Sequence, residues 1–181
     1  MREKTLGDVI MFFIQAVAMP PTEKDYRTLE ISLIDWGGRR HFAGIFRALL
    51  ISLIYRSLPV AFPKYTDELR KFLENSFTRT YENDRIGDKT VPEVVKELDE
   101  LVDMNASHPF MKMSVRAAGL FQRFKASPKS ADKLNQRLEL MYAHFSTLGD
   151  DVEIVEKKTP PKVLKEADQI LQKKSKEKGW F

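Results

Sequence analysis

His41 to Leu58, HFAGIFRALLISLIYRSL, is the densest apolar run of the chain, and its spacing decides the fold. Phe42, Ile45, Phe46, Leu49, Leu50, Leu53 and Ile54 recur at i, i+3, i+4 and i+7, the period of one buried helical face, and strand alternation fits them far worse. Gly44, Ala48, Ile51 and Tyr55 occupy the other side, so the helix is apolar nearly all round and calls for neighbours on several sides. A membrane span is the competing reading. Arg47 and Arg56 oppose it by leaving only Ala48 to Tyr55 uncharged, a stretch too short to cross.

Working outward, the same periodicity returns in every long segment. Toward the N-terminus, Val9 to Ala18 reads as a first core helix beginning near Thr5 and ended by Pro20 and Pro21. Its resemblance to a signal peptide is countered by Glu3 and Asp8, which cancel Arg2 and Lys4, and by Gln15 inside the apolar block. Thr22 then caps a second helix expected to reach Trp36, although Leu29, Ile31 and Leu33 also alternate as a strand would. Gly37 and Gly38 are expected to break the chain before the central helix, and Pro59 and Pro63 to close it.

Beyond the central helix, Thr66 opens a helix with Leu69, Phe72, Leu73 and Phe77 on its buried face. Tyr81 to Lys89 reads as a polar loop, and Thr90 with Glu93 forms a capping box for the helix carrying Val94, Val95, Leu98, Leu101 and Val102. Phe110, Met113, Ala117, Leu120, Phe121 and Phe124 mark the next helix; after Ser127-Pro128, Leu134, Leu138, Met141, Phe145 and Leu148 mark its hairpin partner, with Gly149 as the stop. The expectation is an all-α, compact multi-helix bundle over residues 1–149. A linker with a brief strand near Val152 to Val155 and a C-terminal helix from Thr159-Pro160-Pro161, over 150–181, is expected to pack on it and end in a basic, fraying tail.

The 181 residues suffice for a core without staples, and the absence of cysteine excludes disulfides, thiolate catalysis and thiolate metal sites. None of the three histidines, His41, His108 and His144, sits in an H-E-x-x-H pattern. No G-x-S-x-G elbow, G-x-G-x-x-G fingerprint or P-loop occurs either, so the expectation is a protein that is not an enzyme and carries no metal or other cofactor.

Charge placement says more than the net value of +4. Glu82 to Asp103 holds eight acidic residues against Arg85, Lys89 and Lys96, whereas Lys112 to Arg137 holds seven basic residues against Asp132 alone. Lys112, Arg116, Gly119 and Arg123 follow i, i+4, i+7 and i+11 along one helix; Lys133 and Arg137 continue the pattern on its partner, and Lys125 and Lys129 lie near the turn between them. Rigid rows of Lys and Arg can engage successive phosphates of a nucleic-acid strand without reading bases, and an ordinary solvated helix face has the same composition. Arg39 and Arg40, behind two glycines at a helix start, form a second candidate for a phosphate, or a simple connector.

In its architecture over the central helix and the Phe110 to Leu148 hairpin, and in that basic stripe, the chain resembles the helical small subunits of CRISPR interference complexes of the Cascade type. The resemblance implies a cytoplasmic, non-catalytic subunit in antiviral defence, several copies of which line up with other protein subunits along RNA or single-stranded DNA, with no membrane partner. The alternative is a helical scaffold that binds only proteins, through its acidic face or terminal aromatics.

Overall fold

The computed structural model describes residues 2–32, 34–121, 128–156 and 161–176. The central run lies within α3 (Trp36–Ala61), onto which several other helices pack. Leu49, Leu53, Ile54 and Leu58 are fully buried, each contributing roughly 1.5–3 kcal/mol relative to an exposed side chain. By length and hydropathy α3 could cross a membrane, but 72% of its apolar window is covered by the rest of the protein. The arginines interrupting the run are answered as well: Arg56 Nε donates to Asp99 Oδ1 at 2.7 Å, and Arg47 lies 3.6 Å from Asp84.

At both ends α3 exceeds the expected 41–58. Asp35 caps it, Oδ1 accepting from the Gly38 N–H at 2.8 Å, so the glycine pair forms the first helical turn and does not break the chain. A Cβ on Gly38 would stand 2.2 Å from Asp35 Oδ2, so a larger residue there would push the capping carboxylate aside. Pro59 sits inside the last turn; its missing donor costs one bond near the terminus, and the Phe62 N–H still reaches the Leu58 carbonyl at 2.8 Å.

Before α3 come α1 (Leu6–Ala18), with a Thr5–Asp8 capping box, and α2 (Glu23–Thr28). The second helix is far shorter than the expected run to Trp36, because Glu30 turns into the left-handed region at φ 58°. Leu29 and Ile31 nevertheless stay buried. Following α3 are α4 (Thr66–Tyr81), α5 (Val91–Glu100) with the Thr90–Glu93 capping box, α6 (Met111–Leu120), α7 (Pro128–Ser146) and α8 (Pro161–Lys176). The fold is thus a bundle of eight helices among the described residues.

Two small sheets complete it. β2 (Arg85–Ile86) and β3 (Lys89–Thr90) form an antiparallel hairpin inside the expected polar loop, and Ile86 is buried against the bundle. β4 (Val152–Glu156) is the brief strand expected there, and it pairs in parallel with β1 (Arg2–Thr5), which apolar spacing did not announce. Through this pairing, and through the packing of α8 on α1 and α4, the C-terminal segment closes over the N-terminal helix. The turn after α7 passes so close to the end of α3 that a Cβ on Gly149 would lie 1.7 Å from the Ala61 carbonyl oxygen.

Candidate nucleic-acid interface

The basic hairpin is positioned from its apolar side. Phe110, just before α6, and Met113 and Ala117 within it are buried, as are Leu134, Leu138 and Phe145 of α7. Phe110 packs against Tyr142 across the hairpin at 5.2 Å between ring centres. With those faces committed to the core, Lys112 and Gly119 of α6 and Lys129 and Lys133 of α7 are turned outward and exposed. α6 stops at Leu120, one turn short of the expected face, and Arg123 and Lys125 fall in residues 122–127, outside the described residues.

Several of the candidate cations already hold carboxylates of the same chain. Arg137 Nε donates to Asp25 Oδ1 at 2.6 Å, and the Asp25 side chain is only 2% exposed. The other Asp25 oxygen accepts from the Thr22 N–H at 2.7 Å, so one buried carboxylate caps α2 and anchors α7. Arg39 donates to Glu23 at 2.6 Å while its guanidinium lies 3.8 Å from the centre of the Tyr26 ring. That hydrogen bond holds the Glu23 carboxyl below its ordinary range, whereas burial raises the Tyr26 hydroxyl. Lys133 reaches Glu30 at 3.6 Å.

Arg116 faces the opposite way, toward α5, and pairs with Glu97, which also accepts from Lys89. Lys89 first and Arg116 second hold the Glu97 carboxyl below its usual range. The acidic stretch and the basic stripe therefore meet within the chain at this point.

Exposed side chains remain at Arg40, Lys112 and Lys129. The arginine pair and the hairpin, far apart in sequence, come together at the start of α3: His41 Nε2 lies 3.0 Å from the Leu120 carbonyl oxygen and its ring stacks on Phe121 at 5.7 Å. This contact joins the start of α3, with Arg40, to the end of the helix that carries Lys112 and Arg116. Gly119, one residue before that junction, has open space where a side chain would be.

No family model, curated protein or solved structure matches this chain. Its function has to be argued from its own surface.

Charge spacing pointed to the cations but missed the apolar surface beside them. Ile34 and Trp36, before and at the first turn of α3, are 84% and 65% exposed. The sequence places Trp36 at the end of the helix capped by Thr22; with α2 ending at Thr28, it instead begins α3. The phosphate cradle suggested by the glycines is altered as well, because Asp35 already accepts from the Gly38 N–H. A second apolar feature lies elsewhere: a groove of about 340 Å³ between α1 and α7, bordered by Phe12, Met19, Leu140, Met141, His144 and Phe145.

Proposed function

We propose that this protein is a non-catalytic, nucleic-acid-binding subunit of a cytoplasmic nucleoprotein assembly. It holds the backbone of RNA or single-stranded DNA, alongside other subunits and further copies of itself, in the manner that its resemblance to CRISPR small subunits implies. The observation supporting this reading is the His41 contact with Leu120 and Phe121, which sets Arg40 at the end of the helix bearing Lys112. The roles divide accordingly. Arg40, Lys112 and Lys129 are the cations available to phosphates, and Lys133 faces only the exposed Glu30 at 3.6 Å, whereas Arg39, Arg116 and Arg137 are engaged by Glu23, Glu97 and Asp25.

The test is a triple charge reversal, Arg40→Glu, Lys112→Glu and Lys129→Glu, in the full chain, with folding checked by circular dichroism. Binding to a labelled 20-nucleotide RNA and to the matching DNA is followed by anisotropy over a salt series. Each lost phosphate contact removes about 0.7 from the log–log salt slope for a single strand, so the slope falls by about 2. Unchanged affinity and slope in a folded variant would defeat the site assignment.

A second reading, a scaffold that binds only proteins, is favoured by the α1–α7 groove, where Met19 and Leu140 are 63% and 67% exposed. Failure of the folded wild-type chain to bind any nucleic acid at low salt would select it.

A further inference from the structure

Trp36 is the one exposed tryptophan among the described residues, and its position is unusual for a large aromatic side chain. Burying an indole removes a large apolar area from water, and most folds use it so. Here the side chain is held on the first turn of a capped helix whose next turns are locked into the core by Phe42, Ile45 and Phe46. The ring is therefore presented on a rigid base. Arg40 follows it at i+4, on the same face of α3, and is exposed as well. Gly37 lies exposed beside them, and Ile34 extends the apolar surface on the preceding turn.

Resting on the proposed nucleic-acid role, we infer that Trp36 is a stacking platform for an unpaired nucleobase, with Arg40 engaging the adjoining phosphate. An exposed indole with a cation one helical turn away offers both halves of what a single strand presents, a flat π face and a negative backbone. Complementarity of charge chooses this occupant over an apolar protein surface, which would gain from Trp36 and Ile34 but would have to desolvate Arg40 unpaired. Stacking of this kind tolerates any base, so the inference predicts single-strand preference without sequence preference. The Gly38 N–H already donates to Asp35, so at this helix start the proposed recognition falls to the side chains.

The experiment uses the full chain with Trp180→Phe, which leaves Trp36 as its sole tryptophan. Titration with a 20-nucleotide oligothymidylate, with the same length of abasic strand, and with a blunt duplex is followed by indole fluorescence and by anisotropy in parallel. Expected are saturable quenching by oligothymidylate at the midpoint given by anisotropy, little quenching by the abasic strand, and weaker binding of the duplex. Trp36→Ala lowers affinity about tenfold and Trp36→Phe restores part of it. Undiminished binding by Trp36→Ala, with no quenching in the parent, would overturn the stacking role while leaving backbone binding in place. No binding of any strand would overturn both. Loss of self-association on Trp36→Ala, with nucleic-acid affinity unchanged, would assign Trp36 to a protein contact and equally overturn the inference.

Discussion

Replacing Asp25 by alanine breaks the ion pair with Arg137 and the cap on Thr22 at once, and the fold predicts what each costs. Oδ1 accepts from Arg137 Nε at 2.6 Å, and Oδ2 accepts from the Thr22 N–H at 2.7 Å. A hydrogen bond to a charged group contributes about 1.5–3 kcal/mol, and a lost helix cap costs about 1 kcal/mol. Arg137 is 28% exposed, so water reaches the orphaned guanidinium and the lower half of the first range applies. The sum is about 3 kcal/mol, which for a chain of this size lowers Tm by roughly 6–12 °C. Arg137→Ala should cost at least as much, because it strands the buried carboxylate, which water does not reach. Urea unfolding of the two single variants and of the double variant, read as a double-mutant cycle, checks this. The double variant should be less destabilised than the sum of the singles by at least about 1 kcal/mol. Additive costs, or an Asp25→Ala protein within about 0.5 kcal/mol of the parent, would refute the claim that this pair ties α2 to α7.

Other consequences follow from single contacts. Gly149→Ala drives a Cβ against the backbone carbonyl of Ala61, which no side-chain rotation relieves; a loss of about 1–3 kcal/mol in denaturant unfolding is expected. Gly38→Ala meets only the Asp35 carboxylate, so its cost should stay near that of a lost cap, about 1 kcal/mol, and be nearly absent in an Asp35→Ala background. Glu97 has a lowered pKa in the folded protein, so its contribution is present above the ordinary carboxylate range and disappears as pH falls through the lowered folded value. Glu97→Gln should therefore destabilise at neutral pH and flatten the acid limb of a stability-versus-pH curve, read by thermal melts at constant ionic strength.

Periodicity made the helices legible, because a buried face repeats every few residues whatever it packs against. The features that escaped depend on single distant or conformational facts. A glycine pair usually signals a break, and only the Asp35 carboxylate held over the first turn shows why Gly37 and Gly38 are helical here. The end of α2 hangs on Glu30 entering the left-handed region, for which glutamate carries no sequence signal. Pairings such as Arg137 with Asp25, 112 positions apart, cannot be read from local charge at all. Trp36 stayed hidden for the same reason, since its exposure follows from where α2 stops.

The charge pattern changes meaning once these pairings are known. A window of seven basic residues against one acidic looks like a surface waiting for a polyanion, but the fold supplies carboxylates from α2, the turn after it and α5 to four of the candidate cations, Arg39, Arg116, Lys133 and Arg137. Phosphate does not displace Asp25 cheaply from Arg137, because that carboxylate is 2% exposed and also caps α2, whereas the exposed Glu23 and Glu30 side chains can swing into solvent. Charge reversal at Arg137 would therefore damage the α2–α7 joint before it reported on any ligand, and a lost interaction would be misread as a lost contact. Variants at Arg40, Lys112 and Lys129 avoid that confusion, and comparing the two sets separates what the basic residues do for the fold from what they do at its surface.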